Sequence, residues 1–312
     1  MSDKSIKIIF FGNTDFSIPV LLKCAESFDV SCVVTNPSKK MGRGQKLIDT
    51  PVKTVAKNAN LDVIECDNLL DDEFLKKIKD INPDLFVVVA YKILPRTLLS
   101  IPEYGAINLH SSLLPKYRGA APIQRAILNH EQTTGVSTFL IEPKVDTGKI
   151  LEQSSYTIKD SDNYGLLSEK LSDMGSKLVV SSIKKYMNKK IEPYTQDESL
   201  VTLAPKIKKE EFMINWDKSA SDIHAQIRAF SPYPGAYTTL NGKRVKFFTS
   251  ELIKNQLSQA PGEIHNISKD FFDIACSIES LRIHKLQIEG KKIMPAKDFI
   301  LGMPTLKGSR FN

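Results

Sequence analysis

The chain has 312 residues, of which 41% are hydrophobic and 25% charged; this fits a soluble globular protein and is more than one typical core organises. Its 43 Lys and Arg against 36 Asp and Glu leave a formal charge of +7, and the part from Lys189 onward holds 19 basic and 14 acidic residues, so most of the excess lies there. No run reaches the length of a membrane span. The four cysteines form no C-x-x-C, and a strand-like run begins at Ile6, so a bacterial cytoplasmic protein with no metal, disulfide or leader segment is expected.

Ile6 to Phe11 is a nearly continuous apolar run, the pattern of a strand buried on both faces. A turn at Gly12 to Asp15, a helix to about Phe28 and a second strand at Val30 to Thr35 complete a βαβ unit, although only Gly12 of a G-x-G-x-x-G follows the first strand. Residues 36–50 read as a mobile polar loop carrying Lys39, Lys40, Arg43 and Lys46 around Gly42 and Gly44. Such a loop can clamp a phosphate backbone or simply be a solvated surface. Helices are expected at Pro51 to Asn60 and Asp71 to Ile81, with a short strand at Asp62 to Glu65 between them. Leu85 to Ala90 (LFVVVA) reads as a central buried strand.

The next strand, Ala106 to His110, places Asn108 and His110 two residues apart and so on one face, with Ile107 and Leu109 on the other. A helix behind Pro122, a strand at Val136 to Ile141, the turn Lys144 to Gly148 and a helix over about 164–187 follow. The expected organisation is an α/β domain over 1–188 with a Rossmann-like, mostly parallel sheet, then a linker over 189–208. Residues 209–312 are expected to form a small OB-like β-barrel. Within that last part Asn241-Gly242 marks a hairpin, and alternating runs appear at Ala236 to Leu240, Arg244 to Thr249, Phe271 to Ser277 and Leu281 to Leu286. Lys243, Arg244, Lys246, Lys291 and Lys292 make this part basic; they fit a nucleic-acid surface or an ordinary solvated face.

Asn108, His110 and Asp146 can converge at the ends of neighbouring strands, where open α/β sheets keep their chemistry. An Asn amide and an imidazolium can both donate to an oxyanion, and a carboxylate can orient the ring or relay a proton. No strained nucleophile turn is present, so direct attack by an amine on an acyl carbon suits the set. Taken singly, His110 and Asn108 also read as satisfied core groups, and Asp146 as a residue capping its own turn.

At these residues the chain resembles the folate-dependent formyltransferases. The resemblance is carried by Asn108-x-His110, by Ser112-Leu113-Leu114-Pro115 and by Asp146-Thr147-Gly148. Gly119 to Arg125 and the loop Gly42-Arg43-Gly44 narrow it to the branch acting on initiator methionyl-tRNA. The resemblance implies formyl transfer from 10-formyltetrahydrofolate to the α-amino group of the esterified methionine. Asn108, His110 and Asp146 are then the catalytic residues, and Ser112, Leu113, Leu114 and Pro115 the tetrahydrofolate turn. Arg43 and Lys46 approach the tRNA, and the barrel adds a second tRNA surface. No metal and no membrane are implied, and a monomer is expected. Asn13-Thr14, Lys144 and Lys149 depart from the usual pattern without removing a catalytic group. Three other readings stay open: a formyltransferase acting on glycinamide ribonucleotide or a nucleotide sugar, a folate hydrolase, and a non-enzymatic RNA-binding protein.

Overall fold

The Ile6 to Phe11 run forms the first strand of a seven-stranded sheet, buried everywhere beyond Lys7. A computed structural model describes residues 5–41, 44–255, 258–303 and 306–312. In chain order the first part contains β1 (Lys7–Gly12), α1 (Ile18–Ser27), β2 (Asp29–Thr35), β3 (Lys39–Met41), β4 (Lys46–Ile48), α2 (Pro51–Asn58), β5 (Val63–Glu65), α3 (Asp72–Ile81), β6 (Leu85–Val89), α4 (Arg96–Leu99) and β7 (Ala106–His110). Then come α5 (Pro122–Leu128), β8 (Thr133–Leu140), β9 (Ile150–Thr157) and α6 (Tyr164–Met187).

The sheet runs β5-β2-β1-β6-β7-β8-β9, parallel as far as β7 and antiparallel across β8 and β9. The expected mostly parallel, Rossmann-like sheet is therefore what forms. Its helices start where the sequence supplies caps: Thr50 Oγ1 accepts from the Lys53 amide at 3.2 Å, and the Asp71 carboxylate accepts from the Phe74 amide at 2.9 Å. One face of the central strands packs Phe11, Phe86, Val88, Phe74 and Ile78 into a common core. On the other face α6 can lie against β7 because residue 175 is Gly; a Cβ there would fall 2.4 Å from Leu109 Cδ2.

Two parts of this region differ from expectation. Residues 39–48, expected in a mobile loop, pair as the antiparallel hairpin β3–β4 across the described positions. Arg43 and Gly42 lie outside the described residues. β9, absent from the sequence reading, is an edge strand buried at Ile150 and Leu151 whose remaining residues alternate half-buried and exposed in a polar run, EQSSYT. Its polar composition conceals it.

The chain divides into two compact units, one of 1–120, 133–157 and 168–204, the other of 121–132, 158–167 and 205–312. Of residues 189–208, read from sequence as linker, 189–204 thus fall in the first unit and 205–208 in the second. Tyr194 pairs with Ile150, and Leu203 with Arg118.

The second unit adds α7 (Ala220–Ala229), β10 (Ala236–Leu240), β11 (Lys243–Ile253), β12 (Ile264–Ile267), β13 (Phe272–Ala275), β14 (Ser280–Ile288), β15 (Met294–Pro295) and α8 (Ala296–Leu301). Its strands are all antiparallel, in the order β10-β11-β14-β13-β12. The hairpin at Asn241-Gly242 forms as its sequence predicts, both residues having positive φ. Residues 308–312 span the sheet's two ends: the Phe311 amide donates to Gly262 O at 2.9 Å, while Asn312 and Thr239 exchange backbone hydrogen bonds. That bridging supplies the closure expected of a small barrel. Its interior is aromatic, with Phe247 and Phe311 rings 5.4 Å apart and Phe272 and Phe299 rings 5.4 Å apart.

Candidate functional site

The C-terminal end of β7 carries the candidate chemistry within the first unit. β7 alternates as the strand period demands, so Asn108 and His110 share a face. His110 is buried at 7% exposure, and its Nε2 lies 2.8 Å from the carbonyl oxygen of Tyr117. A carbonyl oxygen only accepts, so Nε2 bears the proton, and the Nδ1 of a neutral ring keeps its lone pair. That Nδ1 faces Asp146 Oδ2 at 3.8 Å. Asn108 is half-buried, and among the described residues no hydrogen bond engages its side-chain amide. Its donors are thus open toward whatever enters this face.

Asp146 belongs to the loop between β8 and β9 and adopts a φ of +55°, a left-handed conformation that Asp tolerates better than most non-glycine residues. Its carboxylate does not cap its own turn. Oδ2 instead accepts the amide of Gly119 at 2.9 Å, across the site. Gly119 has a φ of +128°, and a Cβ there would stand 2.6 Å from Ala204 O, so position 119 requires glycine twice over. Gly148 is confined more tightly still, since a Cβ would overlap the carbonyl oxygen of Leu140. The Asp-Thr-Gly run therefore joins a reactive group to a glycine demanded by backbone approach.

The turn after β7 is held from beneath. Ser137 Oγ on β8 donates to Ser112 O at 2.6 Å and accepts from the Leu114 amide at 3.0 Å. Gln153 Nε2 on β9 donates to that same hydroxyl at 2.7 Å and to Leu114 O at 2.9 Å. Of the four residues assigned to the turn, Ser112 is buried and donates its hydroxyl to Lys116 O at 2.6 Å, while Leu114 packs with Phe139 and Ile150. Leu113 and Pro115 are half-buried and offer apolar surface. A flat, largely apolar ring system fits such a flank. Among the described residues no cluster of His, Cys, Asp or Glu could hold a metal.

Of the residues predicted to meet a polyanion, Lys46 is exposed on β4 together with Lys39 and Lys40 on β3, and Arg43 falls outside the described positions. The base of this hairpin is fixed by Asp49, which accepts from Lys53 Nζ at 2.8 Å and Ser38 Oγ at 2.5 Å; these bonds hold its carboxyl below the usual carboxylate range. In the second unit Lys243, Arg244, Lys291 and Lys292 are exposed, and Arg244 lies 4.5 Å above the Tyr237 ring. Arg125, part of the Gly119 to Arg125 motif, is committed to Glu211 at 2.6 Å and has a structural part.

Sequence reasoning missed the residues behind Asp146. Gln196, 4% exposed, donates through Nε2 to Asp146 O at 2.9 Å and to Gly148 O at 2.8 Å. Its Oε1 accepts from Arg118 Nε at 3.1 Å and NH2 at 2.8 Å.

Comparison with known proteins places this geometry in context. The formyl transferase family profile matches residues 6–183, and that of the formyl transferase C-terminal domain matches residues 206–304. A protein named methionyl-tRNA formyltransferase from Thermodesulfovibrio yellowstonii is 43% identical over 96% of this chain and 97% of its own. One of the same name from Clostridium novyi is 40% identical over 95% and 97%. Among solved structures, an N-formyltransferase from Helicobacter canadensis, in complex with folinic acid and dTDP-3-aminofucose, aligns with a TM-score of 0.66 and 21% identity over 89% of this chain and 98% of that one. HypX from Aquifex aeolicus in complex with tetrahydrofolic acid aligns with a TM-score of 0.66 and 16% identity over 96% of this chain and 48% of that one.

Proposed function

This chain belongs to the formyl transferase family, beside the methionyl-tRNA formyltransferases, and from that premise we propose that it moves the formyl group of 10-formyltetrahydrofolate onto the α-amino group of initiator methionyl-tRNA. The observation that supports the reading is that Asn108 and His110 share a face at the end of β7 and that Asp146 faces His110 there.

Each group has a distinct part. As the amine attacks the formyl carbon, negative charge grows on the formyl oxygen, and the uncommitted Asn108 amide donates to it. The incoming nitrogen must lose a proton. His110 Nδ1 is the available acceptor, because Nε2–H is committed to Tyr117 O. Protonation makes the ring cationic, and the Asp146 carboxylate facing Nδ1 stabilises that cation. The same proton then passes to the departing folate nitrogen, which returns His110 to its starting state. Leu113 and Pro115 flank the folate ring, while Ser112 and Leu114 shape the turn beneath it.

The acceptor is the larger molecule. The exposed lysines of β3 and β4, with Arg43, approach the acceptor end of the tRNA; Arg244, Lys243, Lys291 and Lys292 meet its backbone from the second unit. We place the enzyme in a bacterial cytoplasm, acting as a monomer. Its cysteines are free and buried. The test offers initiator methionyl-tRNA, glycinamide ribonucleotide and a dTDP-linked amino sugar to the full chain with 10-formyltetrahydrofolate. Formylation of the tRNA alone is expected; turnover with either small amine and none with tRNA would overturn the assignment.

A further inference from the structure

We infer that Gln196 is a positioning residue for Asp146, with Arg118 fixing its orientation; the inference rests on the reading of Asp146 as part of the formyl-transfer site.

Gln196 has two N–H donors and one carbonyl, and all are used. Both donors go to backbone carbonyls of the Asp146 loop, at residues 146 and 148. The carbonyl accepts two N–H groups of the Arg118 guanidinium, so the amide cannot flip without losing four hydrogen bonds. Arg118 is itself 7% exposed and directs its remaining edge to Glu198, with NH2 to Oε1 at 2.7 Å. The guanidinium holds the Glu198 carboxyl below its ordinary range.

The backbone around Arg118 completes the device. The Arg118 amide donates to Thr202 O at 2.9 Å, and Arg118 O accepts from the Ala204 amide at 2.7 Å. The Tyr117 amide donates to Thr202 Oγ1 at 2.9 Å. Tyr117 O is the acceptor that sets the His110 tautomer, and the Gly119 amide is the donor that holds the Asp146 carboxylate. Residues 196–204 therefore grip both flanks of the His110–Asp146 pair through the backbone of residues 117, 118, 146 and 148. Asp146 holds a left-handed φ, which Asp tolerates better than most residues but does not adopt by default, so contacts around the loop decide whether it is kept. The two Gln196 hydrogen bonds hold the backbone carbonyls of residues 146 and 148, beside the Gly119 amide that holds the carboxylate.

The experiment uses the full chain and measures kcat, KM for methionyl-tRNA and folate, and melting temperature. Gln196→Glu keeps an acceptor for Arg118 but sets an oxygen against two carbonyls, and Gln196→Met keeps the length without polar atoms. Each should lower kcat per folded molecule about 10- to 100-fold, because misplacement by a fraction of an ångström suffices, and leave both KM values within about twofold. In an Asp146→Asn background, Gln196→Glu should add less than about twofold, since the two act as one unit. Wild-type kcat in both Gln196 variants with only a lowered melting temperature, or losses that multiply in the double variant, would overturn the inference. A wild-type rate in Asp146→Asn alone would instead remove the reading of Asp146, and this inference with it.

Discussion

Residues 106–119 and residues 194–204 both close on Asp146, but they are held in different ways. β7 lies inside the sheet, paired with β6 on one side and β8 on the other, so its backbone is fixed by two ladders. The later stretch has isolated bridges, at Tyr194 with Ile150 and Leu203 with Arg118, and one 3-10 turn at Glu198–Leu200, and relies on Gln196, Arg118 and Thr202 for its hold on the first. The groups proposed to touch substrate sit on or beside the rigid element, and the strap sets their orientation. A site divided this way keeps its reactive atoms on a scaffold while a separate strap tunes their geometry.

The largest expected effect breaks the first stretch. His110→Ala should lower the rate of formyl transfer by about 10²- to 10⁴-fold, the range for loss of a general base, while methionyl-tRNA affinity stays near its original value. Loss of tRNA affinity with the chemical step intact would show that β7 binds rather than reacts.

The first stretch was legible as a strand ending in a turn. Taken singly its Asn and His also read as satisfied core groups, and it was the family resemblance carried by Asn108-x-His110, Ser112 to Pro115 and Asp146 to Gly148 that singled them out. The LFVVV run of β6 was equally plain, since burial on both faces demands continuous apolar residues. The strap was opaque. Gln196 and Arg118 are 78 residues apart, and a hydrogen bond across that distance leaves no periodicity in either neighbourhood. Pro193, Asp197, Glu198 and Pro205 made the stretch look like a linker, when prolines and charges are also what an irregular strap on a surface contains. The hairpin of residues 39–48 hid for a related reason: its strands are three residues each, and those of β4 are all exposed, so no buried alternation marks them.

A smaller effect follows from forcing the two stretches apart. Gly119→Ala puts a Cβ 2.6 Å from Ala204 O at a φ of +128°, and should cost about 1–3 kcal/mol of stability. Transfer should slow by roughly 10- to 100-fold as the Gly119 amide leaves Asp146. Retained stability and rate would mean that the approach of 119 to 204 is dispensable.

Hydrogen exchange sharpens the contrast without mutation. The amides of Arg118 and Ala204 should exchange about tenfold or more faster than those of Ile107 and Leu109, because an irregular strap opens at lower free energy than a central strand. Equal protection would make the two stretches one cooperative unit.

The smallest effect lies outside both. Lys46→Ala should raise the KM for methionyl-tRNA by about two- to fivefold at low salt and less at high salt, with folate binding unchanged, as expected for one screened phosphate contact. A salt-independent change, or one seen with folate, would remove Lys46 from the tRNA surface.

The most direct test is the single-turnover rate of Asp146→Asn. An Asn at this position keeps an oxygen for the Gly119 amide but loses the charge facing His110 Nδ1. If the pair performs the proton transfer, the chemical step should slow by about 10²- to 10³-fold with both substrates bound as before. An unchanged rate would mean that Asp146 only holds its loop, and the chemistry would have to be sought elsewhere on the face of β7.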